Sequence, residues 1–379
     1  MKIIFRLAVG IMKTNRTKVS IPILSFLCSV VFSSFCSCSQ SSSETSDAKA
    51  DNLYRVLSEW KEWAEASDDG IWEGDSTHNL SFELLRIYGG EIEQEPNFFS
   101  IESFAVSGDT IFIADDQTQH LTAIDFNGDL LWKVGGVGEG PGLFSGIGQI
   151  AVNKNYIIVS NMKNSRIDLF SKAGEWLKSI HAQLPFDVLF IDDTTFIVVS
   201  YQIANGIVHI YSISGERISS FGDAEAFPTS SIGWINRDLH CALIKPDLLV
   251  VNSYYSDHIE IYSIKDECLL HRFGRNLPLD IDENRIREGA TFLTTFLLDV
   301  FVGPEGMINV PLRPISPERT IETTNHNIEN ISIVDRYDVN GNYLDSYIIP
   351  TIGGDMIYYN DELFVANWIE CSIYRYKVI

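Results

Sequence analysis

A unit of short strands closed by a tight turn recurs six times after residue 80, and its period of about 40 to 50 residues predicts an all-β fold, a six-bladed β-propeller with four-stranded antiparallel blades. The recurring third strands and turns read LTAIDFNGD (Leu121 to Asp129), RIDLFSKAGE (Arg166 to Glu175), VHIYSISGE (Val208 to Glu216), IEIYSIKDE (Ile259 to Glu267), IVDRYDVNGN (Ile333 to Asn342) and SIYRYKVI (Ser372 to Ile379). Aligned on Ile124, Phe170, Tyr211, Tyr262, Tyr337 and Tyr376, they are spaced by 46, 41, 51, 75 and 39 residues. A β-sandwich would not repeat its strands in one internal order at one period.

Residues 1–37 read as an export signal. Lys2, Arg6, Lys13, Arg16 and Lys18 make a long basic start, shorter if translation begins at Met12 instead of Met1, and Val19 to Phe35 is apolar or small without a charge. The stretch is short for a spanning helix, which needs about 20 apolar residues. Cys38 follows small Ser37 and precedes SQSSSETSDAKAD, which resembles a bacterial lipobox with Cys38 as the acylated residue. The likeness implies a lipoprotein of the outer membrane, attached through its lipid alone; a secreted soluble protein and a retained signal anchor are the alternatives. Residues 38–52 form a flexible tether of small and polar residues. In 53–70, Leu53, Val56, Leu57, Trp60, Trp63 and Ala64 fall on one face of a short helix that Gly70 ends, suited to pack on the propeller or to dock a partner.

The propeller is expected over 80–379. The last copy stops after its third strand, and Ser81 to Tyr88 is the candidate to close the ring as its fourth. The second copy assigns strands to Ile147–Val152, Tyr156–Ser160, Arg166–Phe170 and Trp176–Ile180. Its first two are apolar because both faces are covered, while Arg166 and Asp168 alternate with Ile167 and Leu169 as on a half-solvated strand. Asn127-Gly128, Ala173-Gly174, Ser214-Gly215 and Asn340-Gly341 supply the positive φ of tight hairpins; copy four has Lys265-Asp266 there. PLRPISPERTIETTNHNIEN in copy five reads as a long exposed loop, and Phe221 to Arg237 and Arg287 to Leu298 as long connections.

The stretch GGVGEGPGLF (Gly135 to Phe144), with IFIADDQTQHLTAIDFNGDLL ahead of it, resembles the NHL repeat and the six-bladed propeller lipoproteins of unknown function found in some bacteria. That resemblance implies the fold and leaves the activity open, because propellers host unrelated functions.

Charge narrows the partners. The chain holds 28 basic and 51 acidic residues, and the first 37 contain five basic and no acidic ones, leaving 23 against 51, a balance of −28. Nucleic acid is disfavoured, since backbone neutralisation needs a basic footprint. Beyond Cys38 there remain Cys241, Cys268 and Cys371, with no disulfide framework, and the chain is expected to be a monomer.

Catalytic motifs are absent from the sequence: no GxSxG, HExxH, paired CxxC or GxxxxGK[ST] occurs. Gly135 to Gly142 lacks the Lys and following helix of a phosphate cradle and reads as a connecting loop. One constellation stands out. At the end of each second strand lie Asp115, Asn161, Tyr201, Asn252 and Asn367, with Val310-Pro311 in copy five; Tyr254, Tyr255 and Trp368 are beside them, and Trp234 is in a long loop of the same rim. In propellers resembling this one, such corners surround the mouth of the central channel. Asx residues there either cap turns or, with the aromatics, bind a small polar or sugar-like ligand. The expected site is therefore Asp115, Asn161, Tyr201, Asn252, Tyr254 and Trp368, without a catalytic residue or resident metal.

The sequence thus points to a ligand-binding or protein-interaction module of the cell envelope, whose partner is a small polar molecule or another envelope protein. The alternative is a hydrolase resembling calcium-dependent lactonases, with calcium held in the central channel by Asx oxygens. A lyase resembling the NHL amidating enzymes would need metal histidines on inner strands, where His240 is the candidate. Replacing Cys38 by Ser is expected to release the protein from membranes or stall its processing, as read by fractionation. A Cys38→Ser protein that stays membrane-bound at its processed size, while Cys36→Ser does not, would move the anchor to Cys36.

Overall fold

A computed structural model of the chain describes residues 80–90, 96–202, 206–223, 239–244, 247–253, 258–274, 299–312 and 332–379. The expected signal, tether and helix, Cys38, Tyr254, Tyr255 and Trp234 lie outside these residues, as do most of the long connections.

Strand β1 (Phe82–Gly89) precedes blade 1, which is β2 (Ile101–Ser107), β3 (Thr110–Asp115), β4 (His120–Asp125) and β5 (Leu130–Gly135). Blade 2 is β6 (Ile147–Val152), β7 (Tyr156–Asn161), β8 (Arg166–Ser171) and β9 (Trp176–His181). Blade 3 is β10 (Asp187–Phe190), β11 (Thr195–Gln202), β12 (Gly206–Ser212) and β13 (Arg217–Phe221), and blade 4 is β14 (Leu239–Ile244), β15 (Leu248–Ser253), β16 (His258–Ser263) and β17 (Cys268–Gly274). Blade 5 is β18 (Phe301–Val302), β19 (Ile308–Leu312), β20 (Ser332–Tyr337) and β21 (Tyr343–Ile349). Blade 6 takes β22 (Met356–Tyr359), β23 (Glu362–Asn367) and β24 (Ser372–Val378) from the end of the chain and β1 from its start. Each sheet is a four-stranded antiparallel meander, and the innermost strands β2, β6, β10, β14, β18 and β22 touch in succession around a ring.

β1 runs antiparallel to β24, with Phe82 opposite Val378 and Gly89 opposite Ser372. Ser81 and Ile379 extend the ladder, the Ile379 N–H donating to the Ser81 carbonyl at 2.9 Å. Six hydrophobic clusters fill the seams, each shared by two neighbouring blades. The 1/2 seam, for instance, joins Phe112 and Leu121 to Phe144, Ile157 and Phe170. The second strands are apolar on both faces because each lies between two seams; Ile157, Ile158 and Val159 are all fully buried.

The third strands depart from the expected half-solvated alternation. Asp168 is fully buried, and so are His209 and Asp335 at the matching positions. Each pairs with the outer strand directly opposite: Asp168 with Ser179, His209 Nδ1 with Ser220 Oγ at 2.8 Å, and Asp335 with Ser346 Oγ at 2.6 Å. In blade 4, Glu260 instead takes the Arg272 guanidinium. A buried polar group is tolerated when its bonds are made inside, and here they fasten the outer strand to the third. The hairpin of blade 4 also differs: its positive φ falls on Glu267, at 54°, and not on Asp266, because Ser263 Oγ contacts the Asp266 carboxylate within a four-residue turn. In blade 5, Pro311 and Leu312 continue β19 rather than opening a loop, with Pro311 opposite Val334.

Every outer strand carries a bulge beside its hairpin, or in β1 at the matching place, and the extra residue is Leu85, Leu131, Leu177, Ile218, Leu270 or Leu344. A bulge twists the exposed edge away from pairing with another chain. Deleting 81–88 exposes one edge of β24 and unroofs two seams. It is expected to lower the melting temperature by roughly 10 °C or more, whereas trimming 39–70 should shift it by only a few degrees. Equal melting of the two deletions, followed by circular dichroism, would contradict this role for β1.

Candidate functional site

The corners between second and third strands and the connections between blades share one rim. At the corners, Asp115, Asn161 and Asn367 are fully buried and Asn252 nearly so. Their polar atoms hold the connections. Asp115 accepts from the N–H groups of Phe99 (2.9 Å) and Thr118 (3.0 Å). Asn161 accepts from Ser145 N–H and donates to the Leu143 carbonyl, both at 3.0 Å, and to Asp168. Asn252 donates to the Asp299 carbonyl at 3.1 Å, and Asn367 accepts from the N–H groups of Ile369 and Glu370. These four corner side chains therefore serve the loops, which is the turn chemistry of Asx residues. Tyr201 lies near the end of β11, and Trp368 is half-buried beside Gly354. Val310 and Pro311, which replace the Asx in blade 5, are buried within β19.

The glycine-rich connection is shaped by the same logic. Arg166 donates to the carbonyls of Glu139, Gly140 and Leu143, each at 2.8 Å, and Asn164 to that of Gly138. Gly135 has φ +111°, and a Cβ there would stand 2.8 Å from the Gln119 carbonyl and from the Phe144 ring. No phosphate cradle forms among these residues, because the loop's carbonyls turn toward Arg166.

The connection rim, like the outer strands with Leu131, Leu177, Ile218 and Leu270, presents apolar side chains to solvent. Ile369 at the corner of blade 6, Phe99 before blade 1, Val137 before blade 2 and Leu184 before blade 3 are exposed, Val137 by 78 %. The connections that carry these side chains, an arc from blade 6 to blade 3, are tied to the corners. The Cys371 thiol reaches the Phe99 carbonyl, Asp116 N–H donates to Ser100, Gly136 N–H donates to Gln119, and Ala182 N–H donates to Ser165. Leu184 stands at φ +44°, a strained setting for a side chain with a Cβ.

Inside the arc, at the starts of the innermost strands, side chains of one blade take the backbone of the next. Ser103 Oγ accepts from Ile150 N–H at 3.3 Å, Asp187 Oδ2 from Cys241 at 2.7 Å, Asp299 Oδ2 from Met356 at 3.1 Å and Asp355 Oδ2 from Phe104 at 3.1 Å. Burial pushes Asp187 up to about 7 and Asp355 up to about 6, against the pull of those N–H donors. Asp299 is raised well above the carboxylate range by burial and by the charges of Asp355 and Asp187. Asp299 and Asp355 also hydrogen-bond each other and so share a proton. His240 Nδ1 lies 3.5 Å from Asp299 Oδ1, and burial holds that imidazole near 4. Among the described residues no group of three His, Cys, Asp or Glu side chains converges as a metal site.

These three aspartates were missed from the sequence because inner strands were read as apolar throughout. The signal was present: Asp187-Val188-Leu189, Asp299-Val300-Phe301 and Asp355-Met356-Ile357 each put an Asp at or just before the start of an apolar inner strand.

Fold and rim together define a six-bladed propeller with a capped, apolar face. No protein-family model matches the chain, and no curated protein matches it. Among solved structures it is similar to a candidate exported protein from Bacteroides fragilis NCTC 9343, at 12 % identity and a TM-score of 0.53 over 83 % of this chain and 97 % of that one. It is also similar to a DUF4221 family member from Bacteroides vulgatus ATCC 8482, at 7 % identity and a TM-score of 0.48 over 79 % and 98 %. A catalytically inactive virginiamycin B lyase from Staphylococcus aureus, with quinupristin, gives 12 % identity and a TM-score of 0.48 over 79 % and 99 %. At such identities the likeness establishes the fold alone.

The channel acids make stability depend on pH. Folded Asp187 and Asp355 keep protons that the unfolded chain releases near 3.8, so their contribution is full below that value and is lost as pH rises through about 6 to 7. His209 and His240 act oppositely: held near 4 against 6.5 when unfolded, they contribute fully above 6.5 and lose it as pH falls through about 4. Asp355→Asn keeps an acceptor for Phe104 and removes one titration. Its melting temperature is expected to fall less than that of the native protein between pH 5 and 8; parallel curves would count against the assignment.

Proposed function

We propose that this protein is a binding propeller of the cell envelope, held at the outer membrane by acylated Cys38. Its connection rim recognises another envelope protein or a small polar or sugar-like ligand. The observation that carries this reading is the set of exposed apolar side chains Ile369, Phe99, Val137 and Leu184 on one rim, where buried Asp115, Asn161 and Asn367 hold corners and connections in place. Exposed apolar groups on a rigid rim mark an interaction face better than a folding need, since the seams bury their own residues. The asparagines and aspartate of the corners then act as positioning residues for the recognition loops. No helix among the described residues is long and apolar enough to cross a membrane, and the anchor would be lipid.

The second reading, a calcium-dependent lactonase-like hydrolase, draws on the three channel aspartates. They fit calcium poorly. Asp187 and Asp299 each spend both oxygens on backbone N–H groups, and Asp299 and Asp355 share a proton, whereas calcium takes ionised oxygens.

Photo-crosslinking residues placed at 137 and 369 are expected to give discrete adducts in intact cells, while one at 218 on the outer strand of blade 3 gives none. Adducts from 218 alone would contradict the rim as the binding face. One calcium per purified chain, with turnover of lactones, would favour the hydrolase.

A further inference from the structure

The arc is apolar, yet carboxylates punctuate it. Asp116 stands at the blade 1 corner, its Oδ1 bonded to Gln119 at 2.7 Å, and burial raises its affinity for a proton. Glu139 is exposed two residues after Val137, and Glu370 is exposed next to Ile369 with one oxygen on the Tyr374 hydroxyl. Further in lie half-buried Asp355 and the nearly buried Asp187 and Asp299. Among the described residues, Lys163 meets this set with its charge reaching Asp116, and Arg166 is already engaged by Asp168 and three loop carbonyls. The face therefore combines exposed apolar groups with the exposed carboxylates of Glu139 and Glu370 and with Asp116 at the blade 1 corner, while the inner aspartates hold their protons.

Resting on the rim as the binding face, we infer that the partner is a protein segment in which lysine or arginine is flanked by large apolar side chains, lying across the arc from blade 6 to blade 3. The apolar groups dock on Ile369, Phe99, Val137 and Leu184, and the basic groups meet Glu370, Asp116 and Glu139. An anionic bilayer suits this face less, because headgroup phosphates would oppose the same carboxylates. A neutral sugar would leave the apolar arc in water.

The test uses the purified full chain and three labelled twelve-residue peptides in fluorescence anisotropy. One carries lysines flanked by leucine and phenylalanine; the second has glutamate in place of lysine; the third has serine in place of leucine and phenylalanine. The first is expected to bind at least tenfold more tightly than the others and to weaken several-fold between 50 and 200 mM salt, as screening requires. Val137→Ser with Ile369→Ser should cost about tenfold. Asp116→Asn with Glu139→Gln should weaken binding and flatten its salt dependence, all variants melting like the native chain. If the glutamate peptide binds as well as the lysine peptide and is lost in the Val137→Ser, Ile369→Ser protein, the basic partner is wrong and the rim stands. Peptide binding that ignores every arc substitution overturns both. So does the absence of binding by all three peptides when phosphatidylglycerol vesicles bind through the bulged outer strands, tested with Ile218→Ser.

Discussion

At four of the six seams of this ring the blades are joined at their innermost strands, where a side chain of one blade accepts an N–H of its neighbour. Ser103, Asp187, Asp299 and Asp355 do this at the 1/2, 3/4, 5/6 and 6/1 seams. At the 2/3 seam the direction reverses, Ser160 Oγ donating to the Phe186 carbonyl at 3.3 Å. The seams themselves are apolar and would slide; hydrophobic burial has no direction. The staples give them one. Because three are carboxylates gathered at the channel mouth, they cannot all be charged, and burial together with their mutual repulsion keeps protons on them into the neutral range.

From the mouth outward the same economy of polar groups continues. Corner carboxylates and amides fix the connections, third-strand Asp168, His209 and Asp335 fix the outer strands, and bulges close off the edges. On the connection rim the loops so held expose Ile369, Phe99, Val137 and Leu184.

The fold was legible because it repeats. Period, turn glycines and apolar runs are local signals, and the strands expected for the second copy end within one residue of those observed, from Ile147–Val152 to Trp176–His181. What was not legible depends on partners distant in sequence. Asp168 looks solvent-facing until Trp176 and Ser179 are placed against it across the sheet. Asp187 becomes a staple only when Cys241, 54 residues later, arrives at 2.7 Å. The corner residues were found, but whether an Asx oxygen serves a loop or a ligand is decided by the loop's own path, which composition does not encode. The arc was invisible for a further reason: single exposed apolar residues are ordinary, and only the ring brings Ile369 and Phe99 to the same side.

The central claim is that the channel staples make the ring one cooperative body, and amide hydrogen exchange measured residue by residue tests it most directly. The N–H groups of Phe104, Cys241 and Met356 should be among the slowest to exchange, and those of the β1–β24 ladder should open with them at one common free energy. Protection at Phe104 and Met356 should drop together in Asp355→Ala. Fast exchange at these three amides, while the middle strands of the blades stay protected, would contradict the account.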